Sequence, residues 1–130
     1  MLREVTQTAR PTILVADDEA VVRTVLKSML TRLGYDVLLA DNATEAISVY
    51  EAQHTGIDLV FFDLFLPDMT GDMLYAQLQL IDPTTRAVLV TGNCESELIP
   101  EIVAAGVDGI LGKPFDVAEL KARITHALAA

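Results

Sequence analysis

The sequence predicts a doubly wound α/β domain, in which helices cover both faces of a parallel β-sheet. Apolar, β-prone runs alternate with helix-like patterns five times along the chain. The runs at 13–16, 59–62 and 87–90 are apolar at nearly every position, as expected for strands that are buried on both faces. A chain of 130 residues can bury such a core as one domain without disulfides.

The pattern predicts strands and helices in strict alternation. The predicted strands cover residues 13–16, 36–40, 58–62, 86–91 and 107–112, and the predicted helices cover residues 19–33, 43–54, 71–81, 97–105 and 116–129. The first helix has apolar residues at spacings of three and four from Val22 to Leu33, and Gly34 follows as a left-handed cap. This helix should bury its apolar stripe on the sheet.

Capping residues mark the start of the second and the last helix. Asn42 is followed three residues later by Glu45, and Asp116 is followed at the same spacing by Glu119. This spacing is typical of a capping box, in which the two side chains bond to each other's backbone N–H groups. We therefore expect both helices to begin directly after the capping residue.

The fourth helix is the least regular, because Pro100 lies near its beginning. A proline inside a helix costs about 3 kcal/mol, since it lacks an N–H group and clashes with the preceding turn. We therefore expect this helix to start late, near Ile99, or to have a distorted first turn.

Composition limits the classes of protein to which the chain can belong. Residues 1–11 are polar and aperiodic, which predicts a flexible arm or linker stub before a single domain at 12–130. The net charge of −10 without a basic cluster argues against direct DNA binding. No apolar stretch approaches the roughly 20 residues that span a bilayer, so no membrane association is expected. With one cysteine, Cys94, and no apolar signal segment, the simple expectation is a cytoplasmic protein.

Residues that can carry chemistry lie at the carboxyl ends of four predicted strands. They are Asp17 and Asp18, Asp63, Thr91 and Lys113. The carboxyl ends of parallel strands share one edge of a sheet, where ligands of α/β proteins bind. Each residue alone has an ordinary alternative role, such as a helix cap, a loop acid or a surface lysine. Their common position at the strand ends favours one shared site.

Three carboxylates at one edge require compensation of their charge. Crowding would raise their pKa values unless a cation is present. Lys113 can provide one positive charge, and adjacent loop carboxylates suit a hard cation such as Mg²⁺, which prefers oxygen ligands. The sequence therefore favours a site that contains both an ammonium group and a metal ion.

The order of the motifs resembles that of receiver domains of the two-component response-regulator family. The resemblance covers residues 12–130, and its motifs are ILVADDE at 13–19, DLVFFDLFLPDMTG at 58–71, VTG at 90–92 and GVDGILGKPF at 106–115. It implies a flavodoxin-like sheet of order 2-1-3-4-5. It also implies transfer of a phosphoryl group to Asp63 from a histidine kinase or a histidine phosphotransfer protein.

The resemblance further implies a role for each strand-end residue. Asp63 would be the nucleophile, and Mg²⁺ would be held by Asp18, Asp63 and the backbone carbonyl of Phe65, with Asp17 orienting a metal-bound water. Thr91 and Lys113 would bind the phosphoryl oxygens. The bond between Lys113 and Pro114 is expected to be cis.

Two positions depart from the pattern of the family. Many members have Tyr or Phe where this chain has Ile110, so an aromatic switch cannot operate. We expect readout to depend instead on Thr91, the loop at 92–97 and a pliable fourth helix. Phe65 is bulky and apolar where polar residues often help water attack, which predicts a long-lived phosphoaspartate; a contact with the kinase is an equally plausible role for this side chain.

Other functions are possible for a strand-end aspartate. A haloacid-dehalogenase-like phosphatase also uses an Asp nucleophile and Mg²⁺, but it has a second Asp two residues later, where this chain has Phe65. An FMN carrier would need a first loop that cradles phosphate, and Asp17, Asp18 and Glu19 would repel that group. We therefore predict a phosphoacceptor rather than a turnover enzyme. Because no output domain follows the last helix, it should signal by docking to a downstream protein.

Overall fold

The computed structural model describes residues 10–129. Their five strands form one parallel sheet. The strands are β1 (Thr12–Ala16), β2 (Asp36–Ala40), β3 (Leu59–Asp63), β4 (Ala87–Thr91) and β5 (Gly109–Gly112). Their order, β2-β1-β3-β4-β5, confirms the predicted topology. Residues 1–9 of the predicted arm lie outside the described residues, so the arm and the domain boundary at residue 12 stay predictions.

Helices alternate with these strands along the chain. They are α1 (Ala20–Arg32), α2 (Ala43–Gln53), α3 (Gly71–Ile81), α4 (Ile99–Ala104) and α5 (Val117–Ala129), and a short 3₁₀ helix (His54–Gly56) follows α2. Within residues 10–129, no helix is both long enough and apolar enough to cross a bilayer. Gly34 closes α1 with a positive φ of 100°, which confirms the predicted left-handed cap.

The two predicted capping residues accept hydrogen bonds at their helix starts. Asn42 Oδ1 accepts the backbone N–H of Glu45 at 2.7 Å. The Glu45 carboxylate bonds the N–H of Asp41 rather than that of Asn42, so this cap is only partly reciprocal. Asp116 and Glu119 form the full capping box, with bonds of 2.8 and 3.1 Å.

The late start of the fourth helix is confirmed. Helix α4 begins at Ile99, and Pro100 lies in its first turn. Proline is tolerated there because a first-turn N–H would have no partner inside the helix. The chain before the helix is therefore left as a loop, which lies next to the predicted site.

Alternating strand residues face two hydrophobic layers. One layer, beneath α2, α3 and α4, is built on strand residues such as Leu14, Phe62 and Leu89. The opposite layer, beneath α1 and α5, is built on their neighbours, such as Phe61 and Val88. Both faces of the sheet are therefore covered, which leaves the carboxyl edge of the strands as the place where polar groups can meet.

Candidate functional site

The strand register brings the predicted site residues to one edge of the sheet. Ala16, which precedes Asp17, pairs with Phe62, which precedes Asp63. On the other side of β3, Asp63 pairs with Val90 beside Thr91. Thr91 in turn pairs with Gly112, directly before Lys113. Sequence reasoning therefore placed these residues together correctly.

Lys113 is the centre of the site. Its Nζ donates hydrogen bonds to Asp17 Oδ2 at 3.1 Å, Glu19 Oε1 at 3.1 Å and Asp63 Oδ2 at 3.2 Å. Burial alone would lower the pKa of Lys113, but its hydrogen bonds to Glu19 and Asp17 and the charges of Asp63 and Asp17 raise the pKa well above its usual value. The ammonium group therefore stays charged and offsets part of the acidity around it.

Asp63 is the last residue of β3 and is almost buried, with 9% of its surface exposed. Burial raises the pKa of its carboxyl group; the positive charge of Lys113 opposes this rise, and the negative charge of Asp17 adds to it. One carboxylate oxygen accepts the N–H of Leu64 at 2.7 Å, and the other accepts from Lys113. This carboxylate is held in place at the edge of the sheet.

A group of carboxylates suited to a metal ion lies beside this ammonium. Asp17, Asp18 and Asp63 each place one oxygen within 4.8 Å of the others. Asp17 is buried and Asp18 is exposed, so the group opens towards solvent. An all-oxygen donor set that carries more negative charge than Lys113 offsets fits a hard divalent cation. The carbonyl of Phe65 as a further ligand stays a prediction.

Thr91 ends β4, the strand that pairs with the end of β3, and Gly92 follows it. Thr91 is 2% exposed, and its Oγ1 accepts the N–H of Asn93 at 2.9 Å, which leaves the hydroxyl able to donate its hydrogen. The Thr91 carbonyl accepts the Lys113 N–H at 2.8 Å, which joins the ends of β4 and β5. Outside the neighbouring residues, the nearest atom to a Cβ placed at Gly92 would be Lys113 Cβ, 4.0 Å away, so there is open space at Gly92. The expected cis bond between Lys113 and Pro114 is present.

The loop after Asp63 is anchored at both ends. A Cβ at Gly71 would lie 2.7 Å from the Asp63 carbonyl oxygen, so only glycine allows α3 to start this close to β3. Asp68 accepts hydrogen bonds from the N–H groups of Ala43 and Thr44, at 2.8 and 2.9 Å, and from the Thr44 hydroxyl at 2.6 Å. These bonds lower the pKa of Asp68 to about 2, and the bond from the Thr44 hydroxyl has the largest effect. The loop that carries Phe65 is thereby tied to α2.

Glu19 is the functional neighbour that the sequence reasoning missed. The sequence indicates Glu19 only as part of an acidic first loop that would repel a bound phosphate, whereas the structure places its carboxylate on Lys113. The signal was available in the acidic run at 17–19, which contains one carboxylate more than the expected roles required.

Comparisons with known proteins agree with this geometry. The family model described as the response regulator receiver domain matches residues 13–125. The chemotaxis protein CheY of Thermotoga maritima is 29% identical over 117 residues, which cover 89% of this chain and 92% of that protein. The chain spans only 31%, 47% and 24% of the length of three other curated relatives.

Two solved structures share the fold. The receiver domain of a sensor histidine kinase from Pseudomonas aeruginosa PAO1, which has a magnesium ion coordinated in its active-site cleft, is 27% identical with a TM-score of 0.85, covering 94% of this chain and 100% of that one. A response regulator from Burkholderia pseudomallei with a phosphorylated aspartic acid, a calcium ion and citrate is 31% identical with a TM-score of 0.78, covering 87% of this chain and 65% of that one.

These findings decide between the predicted classes. The family match covers most of the chain, and both structural matches extend over nearly the whole fold. The haloacid-dehalogenase-like alternative receives no support from them. The chain belongs to the response-regulator receiver domain family, whose members are phosphoacceptor modules of two-component signalling.

Proposed function

We propose that Asp63 is the phosphoacceptor of this receiver domain. The observation that carries the proposal is the Lys113 ammonium 3.2 Å from the Asp63 carboxylate, beside a group of oxygens able to hold a cation. In the proposed step a carboxylate oxygen of Asp63 attacks phosphorus as the bond from phosphorus to the nitrogen of a donor phosphohistidine breaks. The imidazole leaves with the bonding pair and takes a proton from solvent.

The metal we propose is Mg²⁺, with Asp18, Asp63 and the Phe65 carbonyl as its protein ligands and Asp17 orienting a bound water. When present, such an ion supplies neutralisation of charge on the phosphoryl oxygens. The donor chemistry of the cluster supports this assignment, as does the solved relative with magnesium in its cleft. The relative with a phosphorylated aspartic acid supports the acceptor role.

Thr91 and Lys113 are proposed to bind the phosphoryl oxygens. Both lie at the carboxyl ends of strands on one side of Asp63, and each offers a hydrogen-bond donor. The open space above Gly92 leaves room for the phosphoryl group between them. Transfer then depends on positioning and charge neutralisation, which a strand-end arrangement supplies without further catalytic groups.

We propose that the donor is a protein, either a histidine kinase or a histidine phosphotransfer protein. A cavity of about 370 Å³ next to the site is lined by Lys113, Pro114, Phe115 and valines of α1. Val21 and Val25 on this surface are 75% and 41% exposed. Apolar surface that continues from Lys113 suits a protein partner whose histidine must reach Asp63. The net charge of −10 argues against DNA as a direct partner.

The proposed readout is docking of a downstream protein rather than turnover of a substrate. Ile110 is a half-buried aliphatic residue packed on the core, so it offers no ring that could reorient. Thr91 is joined to the loop before α4 through Asn93, and α4 is short and begins at a proline-containing turn. Movement of Thr91 would therefore be transmitted to this loop and to α4.

We place the module in the cytoplasm, where its proposed partners would act.

Phosphorylation by a small phosphodonor tests the acceptor assignment. The protein is incubated with phosphoramidate, with and without Mg²⁺, and intact mass is measured for the wild type and for Asp63→Asn. One phosphoryl adduct that requires both Mg²⁺ and Asp63 is the expected result. Hydrolysis of the donor without an adduct would instead indicate a phosphatase.

Amide chemical shifts with beryllofluoride and Mg²⁺ test the readout, and unchanged shifts at 92–104 would disprove it.

A further inference from the structure

Glu19 is bonded to Lys113 but belongs neither to the metal cluster nor to the predicted phosphate-binding groups. Its Oε1 lies 3.1 Å from Lys113 Nζ. The side chain is 61% exposed, whereas those of Asp17 and Asp63 are 2% and 12% exposed. Glu19 is therefore the partner of Lys113 that solvent can reach most easily.

The ammonium of Lys113 has no N–H donor to spare. An ammonium group has three N–H donors, and three carboxylates accept from this one. If Lys113 binds an oxygen of an arriving phosphoryl group while Asp63 is still a free carboxylate, one present hydrogen bond has to break. Loss of the bond to Asp17 or to Asp63 would leave a nearly buried carboxylate poorly compensated, which is costly. Release of Glu19 costs less, because its carboxylate is 61% exposed and becomes hydrated.

The backbone of Glu19 is held by hydrogen bonds that do not involve its side chain, so the side chain can move away from Lys113 without the backbone. The Glu19 N–H donates to Asp17 Oδ1 at 2.8 Å, and the Glu19 carbonyl accepts the Arg23 N–H at 3.0 Å. These two bonds fix the residue between the β1 loop and the first turn of α1. The side chain carries no second hydrogen bond within residues 10–129, so its release from Lys113 disturbs no other contact.

We propose that Glu19 is a positioning residue that holds the third donor of Lys113 until the phosphoryl group arrives. On this proposal, which rests on the assignment of Asp63 as acceptor, Glu19 limits how readily the site takes a phosphoryl group. Release of Glu19 frees Lys113 Nζ for a phosphoryl oxygen. It also moves a negative charge away from an anionic donor.

The pairing is tested first without metal or phosphodonor. Hydrogen exchange of the ¹⁵N-labelled Lys113 ammonium is measured by NMR in metal-free wild type, Glu19→Gln and Glu51→Gln. Glu51 is exposed on α2, so its substitution makes the same change in net charge away from the site. Faster exchange in Glu19→Gln alone, by roughly two- to five-fold, is expected for loss of one partly exposed ion pair. Equal exchange in all three proteins would overturn the proposal.

The effect on phosphorylation is tested with phosphoramidate and Mg²⁺. The initial rate of adduct formation should rise by roughly two- to five-fold in Glu19→Gln and stay at the wild-type value in Glu51→Gln. Two causes could raise the rate in Glu19→Gln: the freed N–H donor of Lys113 and the loss of a negative charge near the anionic donor. Glu19→Asp separates them, because it keeps the charge but is too short to hold Lys113 as glutamate does. A raised rate in this variant supports the release of Lys113, whereas the wild-type rate in this variant contradicts it.

These measurements distinguish failure of the inference from failure of the proposed function. If the wild type forms no adduct, the assignment of Asp63 as acceptor fails, while the ammonium exchange still reports on the pairing of Glu19 with Lys113. If adducts form at one rate in wild type, Glu19→Gln and Glu19→Asp, the acceptor assignment stands and the role of Glu19 is disproved.

Discussion

Lys113 Nζ lies 3.2 Å from Asp63 Oδ2, and this contact joins the loop after β5 to the end of β3. The same ammonium bonds Asp17 after β1, so one side chain connects three strand ends. The contact has two opposite consequences. It neutralises part of the charge on Asp63, and it leaves Asp63 competing with Asp17 for a single cation.

Replacement of Asp63 by Asn should stabilise the protein at neutral pH. Burial is the main cause of the raised pKa of Asp63, and the charge of Asp17 adds to it. A raised carboxyl pKa means that stability is lost as pH rises from the unfolded pKa through the folded one. The amide of the variant keeps an oxygen that accepts from Lys113. We expect Asp63→Asn to gain about 1 kcal/mol at pH 7 in urea unfolding. At about pH 3 the Asp63 carboxyl group of the folded wild type is protonated and, like the amide of the variant, uncharged. An equal gain at that pH would therefore contradict the charge of Asp63 as the cause.

Replacement of Lys113 by Met should destabilise the protein. It removes the shared cation of Asp17 and Asp63, which are both nearly buried. The expected loss in free energy of unfolding at pH 7 is about 2 kcal/mol, less than for a fully buried ion pair. The loss should shrink as the Asp63 carboxylate is protonated in acid. Lys121→Met, which removes an exposed lysine of α5, is the matched control, and an equal loss there would argue against a site-specific effect.

Asp18 should affect metal binding without disturbing the Lys113 network. It is a member of the carboxylate cluster, but the hydrogen bonds of Lys113 go to Asp17, Glu19 and Asp63. We expect Mg²⁺ to raise the melting temperature of the wild type, because binding to the folded state stabilises it. In Asp18→Asn this increase should be lost, while the melting temperature in EDTA stays near that of the wild type. A full Mg²⁺ response in Asp18→Asn would exclude Asp18 as a ligand.

Local signals predicted most of the fold. The apolar runs gave the strands, and the capping residues Asn42 and Asp116 and the helix breaker Pro100 gave the helix starts, because each acts within one turn of chain. The last strand was predicted from residue 107 but begins at Gly109. An apolar pattern does not report on pairing, and here the Asp108 carboxylate bonds the N–H of Ala87 instead of extending the strand.

Contacts between distant side chains were harder to predict. The strand-end rule brought Asp63 and Lys113 together because the geometry of a parallel sheet requires it. The bonds of Glu19 to Lys113 and of Asp68 to Thr44 join loops and helix ends, whose relative positions depend on the packing of whole elements. The acidic run at 17–19 indicates an extra carboxylate, but no short sequence pattern says which distant group a loop side chain will contact.

Asp68 should make stability depend on pH in acid. Its hydrogen bonds from Thr44 and Ala43 lower its pKa from 3.8 to about 2. A depressed carboxyl pKa contributes stability above the unfolded pKa, and this stability is lost as pH falls through the folded pKa. Asp68→Asn should therefore melt at a lower temperature at pH 7, and the difference should shrink between about pH 4 and about pH 2. Melting curves that stay separated by the same interval over this range would show that the charge of Asp68 is unimportant.

Phe65 should control the lifetime of the phosphorylated state. It lies two residues after Asp63, in the loop tied to α2 by Asp68, and 51% of the residue's surface is exposed. An apolar ring at this position offers no hydrogen bond to a water that attacks the phosphoaspartate. We expect Phe65→Asn to shorten the lifetime by roughly tenfold, which corresponds to about 1.4 kcal/mol in the barrier.

The lifetime is measured by intact mass after removal of the phosphodonor, with Phe65→Leu as the apolar control. A leucine side chain also lacks a polar group, so the adduct of this variant should decay at nearly the wild-type rate. If Phe65→Leu decays as fast as Phe65→Asn, aromatic bulk rather than the lack of a polar group protects the adduct. If neither variant changes the rate, Phe65 does not shield the site, and the alternative role of this exposed ring as a contact for the kinase becomes the one to test.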